Sequence, residues 1–124
     1  MEPLIIKKTE ETPAIIFLPK KKTFQIVATS WPENAKEFYE PVYSWIQKYF
    51  SNSPLEKSVF QFRLTYMNTS SSKQIARIVA LLKDFAKAHN IEIQWIYEKG
   101  DIDMMMEGKR FAQILNLDIK LIEK

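Results

Sequence analysis

Two alternating runs, separated by a stretch of helical period, constrain this chain more than any other feature. In Phe60-Gln61-Phe62-Arg63-Leu64-Thr65-Tyr66 the period is two, so Phe60, Phe62, Leu64 and Tyr66 share one side of a strand and the polar residues the other. Ile91, Ile93, Trp95 and Tyr97 repeat the pattern, with Glu92 and Gln94 opposite. Between the runs, Ile75, Ile78, Val79, Leu82, Phe85 and Ala86 recur at the spacing that gathers one apolar stripe on a helix. Strand, helix and strand in this order require a right-handed crossover and make the two strands parallel neighbours. Parallel strands covered on both faces read as continuous apolar runs, whereas these alternate, so the helices are expected mainly on one face.

The remaining elements extend this unit. Ala14 to Leu18 and Thr23 to Ala28 are β-rich and separated by Pro19-Lys20-Lys21-Lys22, which predicts a hairpin with its turn in the lysines. Leu4 to Lys7 adds an edge strand. Ala35, Phe38, Tyr39, Val42, Trp45, Ile46, Tyr49 and Phe50 form a helical stripe rich in aromatics, with Pro41 inside it predicting a kink or a break. A third helix is expected from near Asp103 through Phe111, Ala112 and Leu115, and Ile119 to Ile122 as a last strand. The expected fold is a small α/β sandwich, a mixed sheet backed by two or three helices mainly on one face. With 124 residues, of which 46% are hydrophobic, residues 1–124 are read as one domain.

Several chemistries find no support. The chain has no cysteine, one histidine and two glycines, so a thiol nucleophile, a zinc site, a catalytic triad and a glycine-rich phosphate loop lack their parts. His89 is expected near the carboxyl end of the second helix, in a structural role. Asp101, Asp103 and Glu107 do not follow calcium-loop spacing, and no nucleophile completes an enzyme site with them and Glu98. Asp101 and Asp103 suit a helix amino terminus, and Met104, Met105 and Met106 cannot all face inward on one helix. The start MEPLIIKKTEETP carries no long apolar segment, giving the expectation of a soluble, cytoplasmic protein with no membrane partner. A net charge of +3 raises a nucleic-acid-binding module as the alternative function. Its only basic run, Lys20 to Lys22, falls in a turn, and the aromatics lie at core-facing periods.

Asn68-Thr69-Ser70-Ser71-Ser72-Lys73 joins the first alternating run to the helix after it. A hydroxyl here, Ser70 or Ser71, is expected to cap the helix by accepting a backbone N–H. A phosphate on another would be tolerated, because it meets the positive end of the helix with Lys73 close by, and it would reverse the sign of the local surface.

These residues belong to a longer set. Ser30-Trp31-Pro32-Glu33-Asn34-Ala35, Phe38-Tyr39, Trp45 with Tyr49, Leu64-x-Tyr66-x-Asn68-Thr69-Ser70-Ser71 with Lys73, Trp95-x-Tyr97 and Asp101-x-Asp103-Met104 resemble, in this order, the SiaC family of bacterial regulatory phosphoproteins. The resemblance implies a STAS-like fold similar to anti-sigma factor antagonists and the role of a non-enzymatic partner switch without cofactor or metal. It implies phosphorylation of Thr69, with Ser70 as the alternative acceptor, by a Ser/Thr protein kinase, and reversal by a PP2C-type phosphatase. Asn68, Ser70, Ser71 and Lys73 form the surroundings of that site. The unmodified form is then expected to bind and activate an effector such as a diguanylate cyclase, in cyclic di-GMP signalling that promotes biofilm or aggregates. Pro32, Glu33, Asn34, Asp101, Asp103 and Met104 are the expected partner surface. The chain departs from the family pattern at Ala28 and Asn90, where glycine is expected, and at Lys109, where an acid is.

Overall fold

The computed structural model describes residues 1–52 and 54–124. In chain order the elements are β1 (Leu4–Ile6), β2 (Ala14–Leu18), β3 (Thr23–Ser30), α1 (Ala35–Ser51), β4 (Ser58–Met67), α2 (Thr69–Phe85), β5 (Ile91–Tyr97), α3 (Ile102–Ile114) and β6 (Lys120–Glu123). The strands form one six-stranded sheet in sequential order. β1, β2 and β3 pair antiparallel, and β3 to β6 are parallel. Each helix connects neighbouring parallel strands and each crossover steps in the same direction, so one hand of connection puts all three helices on one face.

That face carries the core. Phe17, Phe24, Phe60, Phe62, Leu64, Ile93 and Trp95 are buried beneath the helices. Phe24 and Phe60 stack with ring centroids 4.5 Å apart, and Trp45 and Tyr49 of α1 close over them. Burial of each such side chain stabilises by roughly 1.5–3 kcal/mol, which explains why α1 tolerates Pro41. The helix runs unbroken through it, against the expectation of a break. Pro41 and Glu37 are both exposed, so the carbonyl deprived of its i+4 partner can turn to water.

The hairpin turn is the short 3-10 segment Pro19–Lys21, closed by Lys22 in the left-handed region at φ 56°. At the other end of β3 the pairing with β4 slips: Ala28 opposes Leu64, but Thr29 opposes Tyr66. Thr65 is the extra residue, and Ala28 adopts φ 95°. The slip corrects the expected face of Tyr66. It leaves the side shared by Phe60, Phe62 and Leu64 and is 53% exposed, while Met67 packs against the core in its place.

Among the described residues no helix lies over the opposite sheet face. Gln25, Gln61 and Gln94 stand in register on β3, β4 and β5. Gln25 Nε2 donates to Gln61 Oε1 at 2.7 Å, and Gln61 Nε2 to Gln94 Oε1 at 2.8 Å. Gln94 donates in turn to the Glu92 carboxylate, which Lys57 Nζ meets at 2.6 Å and Lys120 Nζ at 3.4 Å. The Lys57 hydrogen bond first, then that from Gln94, holds the Glu92 carboxyl at about 2, against partial desolvation.

Candidate functional site

The carboxyl ends of β3, β4 and β5 lie beside the amino termini of α1, α2 and α3, the place where open α/β sheets bring loops together. Each helix there begins with a side-chain cap. Asn34 Oδ1 accepts from the Glu37 N–H at 3.1 Å, Asn68 Oδ1 from Ser71 at 2.9 Å, and Asp101 Oδ1 from Met104 at 3.0 Å. The α2 cap is therefore a carboxamide and not Ser70 or Ser71. Asn is among the strongest N-cap residues, and its place directly before Thr69-Ser70-Ser71 was the available signal.

Freed from capping, the hydroxyls of this segment take different roles. Ser71 is fully buried and its Oγ accepts from Ser30 Oγ at 2.8 Å, while Ser30 Oγ and the Tyr39 hydroxyl lie 2.6 Å apart. This network ties the end of β3 to α1 and α2. Burial pushes the Tyr39 hydroxyl up to about 12, opposed in part by the Ser30 hydrogen bond, so it stays a neutral donor. Ser72 is half-buried and meets Arg110 of α3, Nη2 to Oγ at 3.3 Å. Thr69 and Ser70 are exposed, Thr69 as the first residue of α2.

These two exposed hydroxyls border different hollows. Thr69 and Ser72 line an open groove of about 590 Å³ between α2 and α3, across from Asp101, Asp103, Glu107 and Arg110. Ser70 lines a smaller hollow of about 240 Å³ toward α1, with Glu33, Asn34, Lys36, Lys73 and Gln74. The expected partner surface is thus divided: Asp101 and Asp103 share Thr69's groove, and Glu33 and Asn34 lie on Ser70's side. Two of its expected members are little exposed. The side chain of Pro32 is buried beneath the turn into α1, and Met104 lines Thr69's groove but is only 6% exposed, its carbonyl accepting from the Trp95 indole at 2.9 Å. Met106, 52% exposed, lines the same groove and presents the larger surface there.

Two of the groove's three carboxylates are already engaged. Asp101 caps α3, and Glu107 Oε2 accepts from Arg110 Nη2 at 2.6 Å. Among the described residues no group of three or more His, Cys, Asp and Glu could hold a metal ion. His89 lies past the end of α2, where its ring packs on Phe50 at 5.1 Å, so aromatic contact accounts for it. Among the described residues no helix is long and apolar enough to cross a membrane.

Fold and site define a small α/β domain that displays two hydroxyls and an open groove where its parallel strands end. The chain belongs to the SiaC family of regulatory phosphoproteins, whose model matches residues 6–124. An uncharacterised protein of Pseudomonas aeruginosa strain UCBPP-PA14 is 30% identical over 102 residues, 80% of this chain and 79% of that protein. Among solved structures, SiaC of Pseudomonas aeruginosa is similar at 23% identity with a TM-score of 0.85, covering 100% of this chain and 98% of that one. The SiaC chain in a complex of the diguanylate cyclase SiaD with its activator SiaC, from the same organism, is similar at 23% identity with a TM-score of 0.89, covering 98% and 99%. These two likenesses establish a common fold.

Proposed function

We propose that residues 1–124 act as one non-enzymatic regulatory domain, a partner switch whose phosphoacceptor is Thr69. The observation that carries this reading is the sorting of hydroxyls within one helical turn: Ser71 is sealed in the core, while Thr69 stands exposed on the groove. A kinase can reach Thr69 without unfolding α2, and a phosphate there meets first-turn N–H groups that have no intrahelical acceptor. In the unmodified state the domain binds and activates an effector such as a diguanylate cyclase, as SiaC does in the complex with SiaD. A Ser/Thr protein kinase writes the mark and a PP2C-type phosphatase removes it, in the cytoplasm.

Incubation with the cognate kinase and ATP, followed by mass mapping, tests the acceptor. One phosphate on the segment 68–73, absent from Thr69→Ala, is the expected result. Persistence in Thr69→Ala at undiminished stoichiometry overturns it and moves the assignment to Ser70. The nucleic-acid alternative gains little support from the fold. Lys20 to Lys22 lie at the amino end of β3, away from the groove, and Phe17, Phe24 and Phe60 are sealed in the core where no base can stack.

A further inference from the structure

We propose that Arg110 is the residue that reads a phosphate on Thr69: it parts from Glu107 and clamps the phosphate across the groove, closing the groove to a partner. The proposal rests on Thr69 being the acceptor and adds how the mark is sensed within the chain. Arg110 sits on α3, yet its Nη2 already reaches α2, 3.3 Å from Ser72 Oγ. Ser72 is three residues beyond Thr69, so the two side chains are neighbours on one helix face, about 5–6 Å apart at Cβ. Thr69, Ser72 and Arg110 line the same groove, which puts a phosphate on Thr69 on the side of the helix that the guanidinium already reaches.

Charge decides where Arg110 goes. Its present partner is the single carboxylate of Glu107, three residues earlier on the same helix, and both side chains are substantially exposed, 47% and 36%. An exposed pair of this kind is weakly held, because solvent screens it and ordering two long side chains offsets much of the attraction. A phosphate offers about two negative charges and three acceptor oxygens, any two of which the planar guanidinium fork meets with two parallel N–H donors. Exchange of partners is therefore downhill. It converts a link within α3 into a bridge between α3 and the start of α2, and it releases Glu107 beside Asp101 and Asp103, so the groove becomes spanned and more acidic together. Lys73 is the competing cation, but it opens onto the other hollow with Ser70 and Lys36. The position of the mark thus selects its reader: Arg110 for Thr69, the lysines for Ser70.

The test uses the full chain with phosphothreonine installed at position 69 during synthesis, and follows the phosphorus NMR signal against pH. Installing the mark separates this test from the question of whether a kinase chooses Thr69, which the mass mapping answers. The second phosphate pKa, near 6 for a free phosphothreonine, is expected to rise by about half a unit or more in Arg110→Gln. It should fall further in Glu107→Gln, where the competitor is gone, and move less in Lys73→Gln than in Arg110→Gln. Arg110→Lys should restore only part of the effect. No rise in Arg110→Gln, or a larger one in Lys73→Gln, overturns the proposal. Circular dichroism spectra matching the parent confirm that each variant is folded.

Discussion

Gly108 is where α3 meets the sheet, and Gly108→Ala puts two opposing effects on one atom. In an exposed helix interior the change stabilises by about 0.8–1 kcal/mol, because alanine restricts the unfolded chain. Here the added Cβ would lie 2.5 Å from Trp95 Cδ1, 2.7 Å from its Cγ and 2.8 Å from Leu121 Cδ2. Trp95 cannot retreat: it is fully buried, stacked on Phe62 at 5.9 Å, met edge-on by Phe111 at 5.3 Å, and tied by its indole N–H to the Met104 carbonyl. The helix must lift instead. Overpacking of this kind costs about 1–3 kcal/mol, and with the Trp95 ring pinned the upper part of that range applies. The net expectation is a loss of about 1–2 kcal/mol, or a fall in Tm of roughly 3–8 °C for a chain of this length. Thermal unfolding followed by far-UV circular dichroism measures it, with near-UV spectra reporting the indole environment. A Tm equal to or above that of the parent would refute the reasoning, since helix propensity would then have won and the contact between α3 and Trp95 would be looser than described.

Two further outcomes follow from backbone and charge. Ala28 at φ 95° holds a conformation costing about 1–3 kcal/mol for a residue with a Cβ, so Ala28→Gly should stabilise by about 0.5–2 kcal/mol after glycine's own entropy is subtracted, measurable as a higher urea midpoint. Glu92 is held at about 2 against an ordinary 4.5, so its contribution is complete above pH 4.5 and is lost as pH falls toward 2. The stability difference between the parent and Glu92→Gln should therefore shrink on acidification from pH 5 to pH 2; a difference constant over that window would mean that the carboxylate is not engaged in the folded state.

Periodicity carried the sheet and its helices because both are repetitive, and repetition is what a linear pattern records. The alternation in β4 and β5 and the stripes of α1 and α2 specified parallel neighbours and helices on one face, and the structure has both. Tyr66 departs because the slip beside Ala28 and Thr29 is a single event without period. Its one trace was alanine where glycine is expected, and the positive φ of Ala28 gives that departure its meaning. Asn90, the companion departure, has no such conformation. At the site, Thr69, Asp101 and Asp103 were legible as separate motifs, but their meeting across one groove depends on how α2 and α3 lie on the sheet. Arg110 could not be found from the sequence at all: its helical spacing points to Glu107, and only packing brings it to Ser72. Ser71, expected as a candidate cap, is instead buried, and hydroxyls from two distant elements, Ser30 and Tyr39, make that burial inexpensive.

The glutamine row on the uncovered sheet face also bears on how the chain finds its fold. β3, β4 and β5 must recognise one another across separations of 36 and 33 residues, and parallel strands have no tight turn to align them. A slip of one residue would turn a carboxamide into the aromatic layer and a phenylalanine into water, and would break the run of amides ending on Glu92. Each carboxamide donates to one acceptor, and the sense of donation runs along the row toward the carboxylate that ends it. It works as a key cut into three remote strands, admitting one alignment and rejecting those that hydrophobicity alone would tolerate.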